Sequence, residues 1–233
     1  MISFNHQYEE YPFIIFSFSH FIMIGLFLCG IIFIYKCRIS LRSFHTEIRY
    51  FLFTVLFVLE LLYHIWLYTG GAWDIAFALP LHLCSVSLIL CLVLLMTGSE
   101  KVFQMVYFIG VIGATMAIFT PELFLGFPHF RYYQFFITHM LIIWICLYYV
   151  FVKQYRPTIK GMLLSFIFLN VCSFLAMMVN KCTGGNYMFL SYKPVNGSIL
   201  DYLGPYPIYI AALEVVALIL FTLILVPFLI RRE

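Results

Sequence analysis

The sequence predicts an all-α fold, a polytopic membrane bundle of seven transmembrane helices forming one domain over 1–233. Three observations lead there. Apolar runs of about 20 residues, the length that spans a bilayer, recur along the whole chain. Hydrophobic residues make up 64% of the chain and charged ones 10%, against roughly 25% charged in an ordinary soluble domain. The runs are continuously apolar and do not alternate, which excludes barrel strands.

The spans fall in order as follows. The first, 13–35, is preceded by Glu9 and Glu10 and by no basic stretch, so it reads as a span and not a cleaved signal peptide. The second, 49–69, carries Glu60 and His64. The third, 76–97, contains Pro80, which either marks the helix start or frees backbone carbonyls beside a binding site. The fourth and fifth cover 102–120 and 132–152, and the fifth holds His139. The sixth, 159–180, contains Asn170, and the seventh, 207–230, contains Glu214.

Orientation follows from lysine and arginine. Lys36, Arg38, Arg42, Arg49, Lys101, Lys153, Arg156, Lys160, Arg231 and Arg232 flank one side, leaving only Arg131, Lys181 and Lys193 for the other. The positive-inside rule then puts the N-terminus outside and the C-terminus in the cytoplasm. An odd number of spans agrees with that outcome.

With this orientation the buried ionisable groups fall in one layer. Counted from the outer helix ends, His64 and His82 lie about five or six residues deep, His20, His139 and Glu214 about seven, and Glu60 about nine. That places them roughly 7–14 Å below the outer surface of the hydrocarbon. Glu60 and His64, spaced i,i+4, share a helix face. Asn170, about ten residues in, joins the layer. An ionisable residue inside a membrane is unfavourable and by default suggests function. The alternative is interhelical glue, although glue has no reason to choose one leaflet.

The longest outer connection, 181–206, mixes Gly184-Gly185-Asn186-Tyr187, Lys193-Pro194, Asp201 and Gly204-Pro205-Tyr206-Pro207. Such a segment suits a lid over a site or an interfacial loop with aromatic anchors. Asn196-Gly197-Ser198 fits the weak glycosylation pattern. The seven cysteines give no disulfide framework, since only Cys182 falls on the outer side. Cys84 stands out because it neighbours His82, yet i+2 spacing turns it to another helix face. Ser85, at i+3, shares that face better.

The run Leu79-Pro80-Leu81-His82-Leu83-Cys84-Ser85, then Tyr132-Tyr133-Gln134 with His139, then Gly185-Asn186-Tyr187-Met188 with Asp201 and Gly204-Pro205-Tyr206-Pro207, resembles the YwaF-like bacterial integral membrane proteins. More distantly the chain is similar to the eukaryotic transmembrane protein 164 family of membrane acyltransferases. The resemblance implies a multi-pass protein of the bacterial cytoplasmic membrane that moves acyl chains between glycerophospholipids. It implies a Cys nucleophile and a His base. The two histidines of that pattern fall on His82 and His139, while its Cys position falls on Leu81. Cys84 or Ser85 then takes the nucleophile's place, or a histidine activates a hydroxyl or water directly.

The expected function is thus a lipid acyltransferase or acyl-ester hydrolase of the outer leaflet, with membrane lipids as partners and neither nucleic acid nor cofactor. His82 and His139 stand at its centre, with Cys84 or Ser85 as nucleophile and Glu60 or Glu214 orienting a histidine. His64, Gln134, Asn186, Tyr187 and Asp201 are the candidate substrate contacts. Three other readings use the same residues. A proton-coupled transporter or lipid-handling protein needs buried His and Glu. A metal-dependent hydrolase would take three of His20, His64, His82 and His139 as ligands. A structural protein would tolerate substitution throughout the layer.

Overall fold

The computed structural model describes residues 3–4, 10–194 and 199–230. Glu9, the Asn196-Gly197-Ser198 triplet and the Arg231-Arg232 pair lie outside the described residues. The chain is helical: α1 (Phe18–Lys36), α2 (Arg38–Ser43), α3 (His45–Thr69), α4 (Leu83–Thr97), α5 (Glu100–Phe119), α6 (Phe130–Phe151), α7 (Ile159–Thr183) and α8 (Ile208–Ile230). Short 3-10 turns cover Tyr187–Phe189 and Ile199–Tyr202. Two isolated bridges are the only β pairing among the described residues.

Six helices are long and apolar enough to cross a membrane: α1, α3, α5, α6, α7 and α8. The third expected span is shorter than its apolar run. Helix α4 begins at Leu83 and has only 15 residues, so 76–82 is not helical. Pro80 accounts for this, since proline removes a backbone donor and pushes the residue before it out of the α region. The segment turns instead on Asp74, whose carbonyl accepts from Ala78 N–H at 2.8 Å and whose carboxylate accepts from Ala76 N–H at 2.8 Å.

Local signals set the other boundaries. Ser17, Ser99 and Thr158 cap α1, α5 and α7 by accepting from backbone N–H groups of the first turn. Gly98 at φ +63° and Gly184 at φ +74° close α4 and α7 in the left-handed region that glycine enters without strain.

Helix α6 is the centre of the bundle and is buried along most of its length. It packs against α5, with α4 beside both. Helices α1 and α3 lie against α6, whereas α7 and α8 lie against α5. The core is a contiguous apolar cluster that includes Leu56, Leu94, Phe103, Phe108, Ile142 and Cys146, each at most 0% exposed. Trp144 of α6 donates its indole N–H to the Phe27 carbonyl at 3.1 Å, its ring lying on Gly30 of α1.

Connections gather at two faces. The N-terminal face holds the start of the chain and the α3–α4, α5–α6 and α7–α8 connections. There Phe13 N–H donates to Phe124 O at 3.0 Å, and Trp66 Nε1 to Phe4 O at 3.0 Å. At the opposite face the last turn of α4 is tied off by side chains. Arg49 donates to the Leu95 and Met96 carbonyls at 2.7 and 2.8 Å, and Tyr149 to Leu94 at 3.1 Å. Tyr155 donates to Gly98 O at 2.6 Å, and burial pushes its phenol above the ordinary range, which keeps the donor protonated. This polar group of the opposite face also contains His45, bonded to Tyr148 Oη at 2.7 Å.

Candidate functional site

Helix α6 carries the centre of the site. Arg131, Gln134, Phe135, Thr138 and His139 recur at the i+3 and i+4 steps of one helix face. His139 is 6% exposed. Its Nδ1 lies 2.6 Å from the Phe135 carbonyl. A carbonyl can only accept, so Nδ1 carries the proton and Nε2 presents a lone pair. The orienting role that a carboxylate often plays for histidine is taken here by a backbone oxygen. Phe135 also packs on the imidazole, with ring centres 4.2 Å apart.

Gln134, buried, accepts from Arg131 and points its amide toward Thr138 Oγ1 at 3.5 Å. Arg131 lies over the Tyr63 ring of α3 at 4.4 Å and over Phe135 at 5.3 Å. Its charge acts on Glu60, His82, Cys84 and His139 alike. These groups from α3, α4 and α6 therefore lie within electrostatic reach of one guanidinium. The sequence reading treated Arg131 as a flanking charge. Its spacing from Gln134 and His139 is the signal that could have found it.

The start of α4 supplies the second histidine. His82 is the N-cap residue, in extended backbone, and its side chain caps no N–H. Its ring packs at a tilt against Tyr187 and Phe189, with ring centres 5.0 and 6.4 Å away. Cys84 and Ser85 follow in the first helical turn, both half-buried. The N–H groups of that turn have no intrahelical acceptor. Leu81 instead joins the apolar cluster of Ala176, Tyr187 and Leu190.

Tyr187 is fully buried and holds the 75–82 segment in place. Its hydroxyl accepts from Leu79 N–H at 2.9 Å and donates to Ile75 O at 2.6 Å. Burial raises this phenol above its ordinary value, so the donor stays protonated. Asn180, which the sequence reading missed, grips the Tyr187 backbone twice, accepting from its N–H at 2.7 Å and donating to its carbonyl at 3.1 Å. At Gly185 a Cβ would collide with the Ala76 carbonyl. Asn186 closes its own loop by accepting from Ser191 and Tyr192 N–H and donating to Tyr192 O.

On α3, His64 Nδ1 accepts from Trp73 Nε1 at 3.2 Å, which leaves Nε2 facing Glu60 at 3.4 Å. Glu60 thus pairs with His64. Glu214 accepts from Asn170 at 3.0 Å between α8 and α7. Asp201 lies exposed in the second 3-10 turn, where Lys193 reaches its backbone carbonyl at 3.4 Å. His20 is fully buried, its Nδ1 accepting from Phe16 N–H at 3.0 Å and its Nε2 donating to Ile118 O at 2.8 Å. Both nitrogens are thereby used: Nδ1 holds the entry to α1 and Nε2 ties α1 to α5. Among the described residues no three His, Cys, Asp or Glu side chains converge as metal ligands. A surface groove of about 390 Å³ is lined by Phe166, Asn170, Phe174 and neighbours on α7 and shares no residue with the histidine group.

The family model described as the TMEM164 family matches residues 15–225, so the chain belongs to that family. No curated protein and no solved structure matches it at a significant level. Family membership and six apolar helices make it a multi-pass membrane protein.

Proposed function

We propose that this member of the TMEM164 family is a lipid acyltransferase or acyl-ester hydrolase that works on glycerophospholipids from the outer leaflet. The observation that carries the reading is His139: buried, fixed in one tautomer by the Phe135 carbonyl, with Nε2 open. That is the arrangement a general base needs. The bias of basic residues toward one side supports an outer N-terminus, an inner C-terminus and seven crossings, with α4 as the short one. The site then faces the outer leaflet under the 184–194 loop.

In this mechanism Nε2 of His139 takes the proton from the attacking hydroxyl or thiol of Ser85 or Cys84, or from water. The new bond forms to the ester carbonyl, whose oxygen gains the electron pair. The free amides at the start of α4 are donors of the kind an oxyanion requires. When the carbonyl re-forms, the glycerol oxygen leaves and recovers the proton from His139. An acyl-enzyme, where one forms, passes its acyl group to water or to a second lipid hydroxyl by the same steps reversed. His82 lies at the entrance of the turn bearing the nucleophile, held by Tyr187. Gln134 and Tyr187 act as positioning residues. Leu81 packs with Ala176 and Leu190, which supports moving the nucleophile two or three residues past His82.

The test uses the full chain in liposomes containing a phospholipid with labelled acyl chains, with lysolipid, free fatty acid and re-acylated lipid all quantified. His139→Ala and His82→Ala should each lose about 10³-fold or more, with the double variant scarcely worse, because groups acting as a unit are not additive. Full activity in both single variants ends the acyl-transfer reading. The half-exposed Glu60–His64 pair favours a second reading, proton-coupled transport. Substrate uptake into vesicles with no loss of lipid ester would establish it instead.

A further inference from the structure

The field of Arg131 reaches the Glu60 carboxylate, which lies beyond ion-pair distance and faces His64 at 3.4 Å instead. A guanidinium stays protonated at any pH the protein meets. Among the described residues no carboxylate pairs with it, and its hydrogen-bond partner is the neutral Gln134. Tyr63 and Phe135 cover it at 4.4 and 5.3 Å. Aromatic faces stabilise a cation and fix its plane. They leave the rim of N–H donors as the edge open to oxygen. With Glu60 turned to His64, this half-buried cation still favours an anion on its donor edge.

Its position narrows the choice of anion. The contacts Arg131–Phe135 and Phe135–His139, taken end to end, put the guanidinium carbon within 9.5 Å of the imidazole centre. A glycerol unit spans that order of distance between its phosphate and its acyl esters. Arginine matches phosphate by a two-pronged hydrogen-bonding fork.

We propose that Arg131 is the phosphate-binding residue of the substrate subsite, so that the site selects glycerophospholipids over neutral glycerolipids. The inference deepens the acyl-transfer reading and rests on it for the role of the bound lipid. Gln134 holds the guanidinium from one side, Tyr63 and Phe135 set its plane, and the phosphate takes the remaining edge. The ester is then delivered toward His139.

The experiment measures binding with lipids that carry no ester, so it reads the subsite whether or not the protein cleaves anything. The full chain in dodecyl maltoside is titrated with diether phosphatidylglycerol, with the matching dialkylglycerol, and with inorganic phosphate alone. Wild type should prefer the phospholipid. Arg131→Gln should weaken phospholipid binding by about 10- to 100-fold, the range expected for a charge-assisted contact, and leave dialkylglycerol binding unchanged. Arg131→Lys should fall between, since it keeps the charge and loses the fork. Equal wild-type affinity for the two lipids overturns the proposal, as does an Arg131→Gln variant that binds the phospholipid normally. Arg131-dependent binding of inorganic phosphate without binding of the diether phospholipid overturns the lipid assignment. Should Arg131→Gln fail to fold by gel filtration, the wild-type preference and the Lys variant decide. Arg131-dependent phospholipid binding in a protein that cleaves no ester would uphold the subsite and remove the acyl-transfer reading.

Discussion

Tyr187→Phe deletes one oxygen and tests how the loop holds the histidine. The ring remains, so its packing against His82 and the backbone grip of Asn180 survive. What disappears is the hydroxyl that accepts from Leu79 N–H and donates to Ile75 O. Each such bond contributes about 1 kcal/mol net, and the two backbone groups lose their partners, so the 75–82 segment should become about 2 kcal/mol easier to open. At 1.4 kcal/mol per decade that is about 30-fold faster amide exchange. Hydrogen–deuterium exchange on the full chain in detergent reads it directly, in peptides covering 75–82. Peptides covering 184–192 serve as the control, because the Asn180 and Asn186 bonds there are untouched. Exchange in 75–82 within about threefold of wild type would show that Tyr187 does not anchor the segment.

Further outcomes follow from other contacts. Cys84→Ala and Ser85→Ala separate the nucleophiles: the one that matches the loss of His139→Ala in the liposome assay carries the acyl group, and near-normal rates in both assign the attack to water activated by His139. In single-cysteine variants, Ser191→Cys should react with an impermeant maleimide on intact cells and Gln154→Cys only after permeabilisation; the reverse pattern moves the site to the inner leaflet. Gly30→Val drives a side chain into the Trp144 ring and should lower stability by about 1–3 kcal/mol, seen as a lower melting temperature in detergent, and an unchanged melting temperature would mean that α1 can move away at no penalty.

The helices were largely legible because composition and run length decide them in a membrane protein. The apolar runs located α1, α3, α5, α6, α7 and α8 to within a few residues, α1 excepted, where Ser17 starts the helix later than the run does. Helix α4 was misjudged because hydropathy counts Phe77, Leu79 and Leu81 as span, while Pro80 and Asp74 turn the backbone there. The i,i+4 pair Glu60–His64 was readable, since both residues sit on one helix. Which histidine Glu60 would serve was not, because that depends on how α3 lies against α6. Depth put His20 and Glu214 in the same layer as His139. Depth says nothing of angle around the bundle: His20 spends one ring nitrogen on Phe16 and the other on Ile118 of α5, and Glu214 meets Asn170 between α8 and α7. Asn186 looked like a substrate contact and closes its own loop. Arg131 looked like a topology marker, because only packing reveals that Tyr63 and Phe135 draw it inward.

The brevity of α4 has a consequence for the lipid around it. Fifteen residues rise about 22 Å, some 8 Å less than the roughly 30 Å hydrocarbon thickness of a typical bilayer. Its flank is not shielded: Ile89, Val93 and Met96, one stripe along the helix, are exposed. The opposite end cannot extend, because Arg49, Tyr149 and Tyr155 have already closed it. Hydrophobic mismatch of this kind is relieved by thinning the adjacent bilayer, at a fraction of a kcal/mol per Å. In the seven-crossing arrangement proposed above, headgroups beside α4 would sink, and the ester bonds beneath them would come down toward the level of Cys84 and Ser85. The proposed site would then sit where the protein deforms its own solvent, and both thermal stability and lipid turnover should rise in bilayers of shorter acyl chains.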